Sequence, residues 1–271
     1  MIKITEKNDE VTYEEKWNAK ACYEHALSVK VMFKLPAPWN EGEETISKDA
    51  KWSYYYALNV LEAPFPLGEA AIAKCANRSH MYALNVLKAP FPLGEKAIAT
   101  DEYYSFIYAR DVLKAPFAIG EEAIARSAEW SYDYALYVLN APFPLGETAI
   151  ATSAICSHVY ARRVLQAPFL KGEAAIATSS QWSYDYAKYV LKGPFKLGEA
   201  AIAKDAKYSH RYAKDILKAT FALNVSGEST VVDVEINKGE IAKEDDANEV
   251  ILWNAKDIRE DRAKKATGEE N

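Results

Sequence analysis

Residues 146–171 read GETAIATSAICSHVYARRVLQAPFLK, and residues 172–197 read GEAAIATSSQWSYDYAKYVLKGPFKL. Laid together without a gap, the two share Gly-Glu at the start, Ile fifth, Ser twelfth, Tyr fifteenth and Pro-Phe near the end. The register extends both ways. Gly-Glu recurs at Gly42, Gly68, Gly94, Gly120, Gly146, Gly172 and Gly198, so seven 26-residue units cover 42–223 of a 271-residue chain. With Gly as position 1, Glu fills position 2, Ile 5, Ser 12, Tyr 15, Ala 16, Leu 20 and Phe 24 in every unit, and Pro fills 23 except at Thr220. Seven gapless copies mark a repeat architecture.

Each unit reads as two short helices. The first, GEAAIAK in form, is built of helix formers with an acidic residue in its opening turn. Position 8 then offers a cap in Asp49, Asp101, Asp205, Ser127, Ser153 or Ser179. The second helix runs to the Pro at position 23, which cannot continue it. At 100° per residue, positions 12, 16, 19 and 20 form a small apolar stripe, where the Ser hydroxyl is expected to bond back to its own helix. Positions 11, 15 and 18 form a second, aromatic stripe, as in Trp130, Tyr134 and Tyr137. A helix with two adhesive faces needs two neighbours, so the expected fold is all-α, a right-handed α-solenoid of stacked helix-turn-helix units.

Three regions follow. Residues 42–223 are the array. Residues 1–41 are expected to be an N-terminal cap with a degenerate unit, because Tyr23–Val29 aligns with Tyr54–Val60 and Ala37-Pro38-Trp39 with Ala-Pro-Phe. Residues 224–271 are expected to be a C-terminal cap. There Ser229–Ile236 alternates polar and apolar ahead of an Asn237-Lys238-Gly239 turn, a short β-hairpin pattern, and 248–265 follows as an acidic amphipathic helix or tail.

Charge and composition exclude several functions. Residues 224–271 carry 13 acidic and 7 basic residues, which equals the net −6 of the whole chain, so the first 223 residues balance. A neutral array lacks the basic face that phosphate backbones require, so a nucleic-acid partner is not expected. Lys88, Lys114, Lys192 and Lys218 at position 21 are explained as cations at helix C-termini. No apolar run spans a bilayer, and the opening MIKITEKNDE has no apolar signal core; no membrane partner and a cytoplasmic location are expected. Cys22, Cys75 and Cys156 are odd in number and widely spaced, unlike a disulfide framework or zinc site.

No catalytic residue, metal or cofactor is expected. His80, His158 and His210 share position 13, but they belong to units 2, 5 and 7, too far apart for one ion. Tyr or Phe fills that slot elsewhere, which makes it a packing slot for a ring. The position 2 glutamates are accounted for by the helix dipole. Positions 10, 14, 17, 18 and 21 change identity between copies, and a fixed frame with a variable outer row is how repeat proteins separate stability from recognition. Arg110, Asp111, Tyr137, Arg162, Arg163 and Tyr189 are the candidate partner-binding residues, because Tyr and Arg anchor protein interfaces.

The unit GEAAIAKSAxWSYxYALxVLxAPFPL, built from copies such as 146–171, resembles the tandem short-helix repeats of uncharacterised tailed-bacteriophage proteins. In architecture it is similar to tetratricopeptide and Sel1-like solenoids, differing in period and in lacking the tetratricopeptide Trp, Leu-Gly and Tyr pattern. The resemblance implies a non-enzymatic scaffold in host cytoplasm that engages or inhibits a host or defence protein. The alternative is a nucleotide or small-ligand sequestering protein, or a single-strand binder, using the Tyr and Trp stripes to stack bases.

Overall fold

The computed structural model describes residues 2–7, 10–15, 17–33, 40–218, 221–223 and 229–231. Within them the body is helical and built of short helices in a repeated pattern. Each unit is a helix pair. In unit 2 the first helix is Pro66–Ile72, and the second is α-helical over Ala76–Tyr82, continuing as a π-helix over Ala83–Leu87. Pro at the first helical position is preset for the helix and lacks only an N–H that would have no intrahelical partner. In units 4 to 7 the first helix opens with a 3-10 turn, as at Pro144–Gly146 before Glu147–Ile150.

Caps form as the sequence predicts in six of seven units. Asp49 accepts from the Trp52 N–H at 3.0 Å, Asp101 from Tyr104 at 2.9 Å and Ser127 from Trp130 at 3.4 Å. Unit 2 places Cys75 there, and its side chain makes no cap bond. Cys75→Asp should therefore stabilise the chain by about 1 kcal/mol, read as a rise in the urea midpoint with an unchanged slope.

The second helix does not simply run into Pro. Its last turn is π-helical in every unit, and position 21 then turns left-handed, with φ of 50 to 55° at Glu62, Lys88, Lys114, Asn140, Gln166, Lys192 and Lys218. The N–H groups of positions 21 and 22 both close on the position 16 carbonyl, as Lys88 and Ala89 do on Ala83. This corrects the aromatic stripe: an i→i+5 turn advances less than 100° per residue, so positions 15 and 18 do not share a face. Tyr134 is fully buried, whereas Tyr137 is 53% exposed.

The second helices of consecutive units pack on one another in order, and so do the first helices within units 1 to 3 and within units 4 to 7. Three contacts fix the spacing. The Ser at position 12 donates to the position 5 carbonyl of its own unit's first helix, at 2.9–3.0 Å from Ser53 to Ser183, which corrects the expected bond within its own helix. Gly at position 1 lies directly against the Ser and Phe of the preceding unit; a Cβ on Gly68 would sit 2.6 Å from Ser53 Cβ and 2.5 Å from Phe65 Cδ1. The Tyr at position 15 supplies the third.

That tyrosine joins two units through one oxygen. Tyr134 Oη accepts the Phe117 N–H of the preceding unit at 2.9 Å and donates to Glu121 Oε1 of its own unit at 2.8 Å. The backbone bond recurs from Phe65–Tyr82 to Phe195–Tyr212 at 2.8–2.9 Å. Position 24 Phe then meets the Tyr of its own unit edge to face, with ring centroids 5.0–5.2 Å apart. The position 2 glutamate is therefore held in place by a phenol donor, a cause the dipole argument does not contain. Burial raises the Tyr134 phenol well above its ordinary range, so it keeps its proton and remains a donor. At Glu147 the bond from Tyr160 is longest, 3.3 Å, where Lys171 also donates to that carboxylate at 2.7 Å.

Upstream, the helix Ala19–Phe33 packs on unit 1. Asn59 donates to Tyr23 Oη at 2.9 Å, as Asn85 does to Tyr54 at 3.0 Å, so Tyr23 stands where position 13 would. Before it, Ile2–Lys7 pairs antiparallel with Glu10–Glu15, strands that the sequence reading does not anticipate. Downstream, Ser229–Val231 pairs antiparallel with Phe221–Leu223. The expected 237–239 turn and the expected helix at 248–265 lie outside the described residues.

Candidate functional site

Position 13 of one unit faces positions 11 and 18 of the next. Phe106 stacks on Trp130 with centroids 5.5 Å apart, and His158 stacks on Trp182 at 5.4 Å. At two of the three position 13 tyrosines, position 18 of the following unit supplies a polar partner: Asn85 donates to Tyr54, and Asp215 accepts from Tyr184 at 2.5 Å, whereas the Tyr132 hydroxyl is buried without one. Part of the copy-to-copy variation is therefore matched across unit boundaries. The rings at position 11, Trp52, Trp130 and Trp182, sit against neighbouring aromatic rings, so these faces are already occupied.

His80 and His158 are buried in that seam, and burial lowers both to about 4. His80 Nε2 and His158 Nδ1 have no hydrogen-bond partner, while His210 is exposed on the last unit. Among the described residues no three His, Cys, Asp or Glu side chains converge as metal ligands.

The six candidate residues all reach the surface. Tyr137 and Tyr189 are exposed large side chains, Arg163 is exposed, and Arg110, Asp111 and Arg162 are half-buried. The structure brings them together in pairs rather than as one cluster. Arg110 forks onto its neighbour Asp111, with Nε–Oδ1 and Nη2–Oδ2 both 2.6 Å, and lies over the Phe106 ring at 4.9 Å. Arg162 lies over the Tyr189 ring of the next unit at 4.3 Å. Arg163 lies near Tyr132, whose phenol burial pushes up to about 12 against the opposing pull of that guanidinium.

Toward the last units the row becomes a linked polar cluster. Lys188 donates to Tyr184 Oη at 3.0 Å and to Asp215 Oδ2 at 3.1 Å, with its ammonium 5.3 Å from the Tyr189 ring. A shallow cleft of 480 Å³ is lined by Lys188, Lys192, Asp215, Ile216 and Lys218. Burial raises the nearby Asp185 to about 6 against the opposing charges of Arg162, Lys188 and Arg211. Lys188 is missing from the sequence-based set because it stands alone there; its link to Asp215 of the next unit exists only once the units stack. Comparison with protein-family models, curated proteins and solved structures finds no match to this chain.

Proposed function

We propose that the chain is a right-handed α-solenoid without catalytic activity that binds a protein partner through the outer row of its second helices. The supporting observation is a division of labour. Residues identical in all copies, such as the Tyr at position 15 and the Ser at position 12, are buried in the stack, whereas Tyr137, Arg163 and Tyr189 vary between copies and face outward. Tyr and Arg with apolar bodies and polar tips suit a protein surface. The interspersed Asp111, Asp133, Asp185 and Asp215 disfavour a phosphate backbone. The resemblance to tailed-bacteriophage repeats makes a host or defence protein the proposed partner, met in the host cytoplasm, with inhibition as the proposed consequence.

The test is affinity capture from bacterial lysate at physiological salt, comparing the native chain with the triple variant Tyr137→Ala, Arg162→Ala, Tyr189→Ala. A stoichiometric protein retained by the native chain and lost about tenfold or more by the variant is expected. Copurification of nucleotide, or single-strand binding with a steep salt slope, would favour the ligand-binding alternative instead.

A further inference from the structure

The connection between units, positions 21–26, carries a second exposed feature. Leu67, Leu93, Ile119, Leu145, Leu170 and Leu197 are 53–75% exposed, half of the exposed large hydrophobics among the described residues. They recur once per unit, and the π-helical ends that lead into these connections lie side by side in consecutive units, so these side chains recur along one edge of the stack. Packing within the stack does not account for them, because the Phe one or two residues earlier is the buried member of each connection. Exposed aliphatic side chains repeated along one edge are more than the scattered single ones of an ordinary surface and mark a binding surface.

The connections also carry free cations, while the glutamate that follows at position 2 is engaged by the position 15 phenol of its own unit. Across positions 21–26 of the seven units there are six lysines, one acidic residue, Glu62, and no arginine. Lys171 is paired with Glu147; Lys88, Lys114, Lys192, Lys196 and Lys218 are exposed alongside the aliphatic residues. Two connections show that composition outlasts order: Leu170-Lys171 becomes Lys196-Leu197 one unit on, each keeping one aliphatic and one lysine. Four lysines also occupy the left-handed position 21, where a side chain is less at ease than Gly or Asn.

We infer that this edge docks on an anionic lipid surface, with the leucines entering the headgroup region and the lysines meeting lipid phosphates. Charge complementarity chooses the occupant. A second copy would oppose lysines to lysines. A protein partner is disfavoured by composition, since interfaces are depleted in Lys and their energetic centres are poor in Leu, whereas Leu with snorkelling Lys is the chemistry of interfacial attachment. Such docking lies on the bilayer; no helix among the described residues is long and apolar enough to cross it.

Cosedimentation of the full chain with vesicles of phosphatidylcholine, or of an equal mixture with phosphatidylglycerol, tests the inference. Binding to the mixed vesicles at least about tenfold tighter than to the neutral ones is expected, weakening as salt is raised. Two variants should each lose about tenfold: Leu67→Ser with Leu93→Ser, Ile119→Ser and Leu145→Ser; and Lys88→Asn with Lys114→Asn, Lys192→Asn and Lys218→Asn. Asn140 already fills position 21 in unit 4, so the second set is compatible with the fold. The Tyr137, Arg162, Tyr189 variant should bind vesicles normally, which separates this surface from the outer row. No vesicle binding, equal binding to both compositions, or binding indifferent to the serine set would overturn the inference. So would a captured protein lost on the edge variants instead, which would identify a polypeptide occupant.

Discussion

Gly146→Ala is expected to destabilise the chain by about 3 kcal/mol and to split its unfolding into two transitions. The added Cβ would lie 2.5 Å from Phe143 Cδ1, 2.5 Å from Ser131 Oγ and 2.6 Å from Ser131 Cβ. Ser131 Cβ is fixed to the helix of the preceding unit, so no rotamer change relieves the contact, and the two units must separate. Separation also stretches the Phe143 N–H bond to Tyr160, because both contacts belong to one interface. In a linear stack each unit is stabilised by its neighbours, so a weakened central interface lets the halves melt independently. Gly193→Ala is the control: its nearest neighbour would be a backbone oxygen at 3.9 Å, and the change should stay within about 0.5 kcal/mol. Urea unfolding followed by far-UV circular dichroism reads both.

Acid should loosen the stack at two seams. Burial holds His80 and His158 at about 4 in the folded chain, below the ordinary value of 6.5. Between those values the unfolded chain binds a proton that the folded chain does not, so stability is fully present above pH 6.5 and falls as pH drops toward 4. The loss approaches about 3 kcal/mol for each histidine. Around His80, Asp111 favours the imidazolium and Arg110 opposes it; around His158, Arg162 opposes it. Asp185 acts with the opposite sign, because its folded carboxyl is raised to about 6 and its proton favours the folded state between about 4 and 6. The double variant His80→Phe, His158→Phe should flatten the pH dependence, since Phe106 fills the same slot in unit 3. A profile as steep as that of the native chain would mean that these two rings are not its source.

The helix pair, its caps and the burial of position 13 are legible because they depend on residues close in sequence or repeated in register. The tyrosine bridge is not. Tyr134 meets Glu121 thirteen residues away and Phe117 seventeen residues away, and the second contact is to a backbone N–H that no side-chain pattern reports. The left-handed turn at position 21 is hidden for a different reason, since Lys, Gln or Glu stands there in six units and only Asn140 is a residue that would announce it. Of the candidate surface, Arg110 and Asp111 show what the variable row conceals. Asp111 carries the Arg110 fork and its charge also bears on the buried His80 of the preceding unit, so its place in the row is set partly by neighbours within the stack. Only stacking separates such compensating differences from outward-facing ones like Tyr137.

The same chemical change made three residues apart in one helix tests the separation of framework from surface. Tyr134→Phe removes the acceptor of the buried Phe117 N–H and the donor to Glu121, at an expected cost of about 2–3 kcal/mol. Tyr137→Phe removes a hydroxyl from an exposed ring and should cost less than about 0.5 kcal/mol. Equilibrium urea unfolding of the two variants beside the native chain gives both numbers: a large loss at 134 with none at 137 is expected, and equal losses at the two sites would contradict the division of this repeat into a buried frame and an outward recognition row.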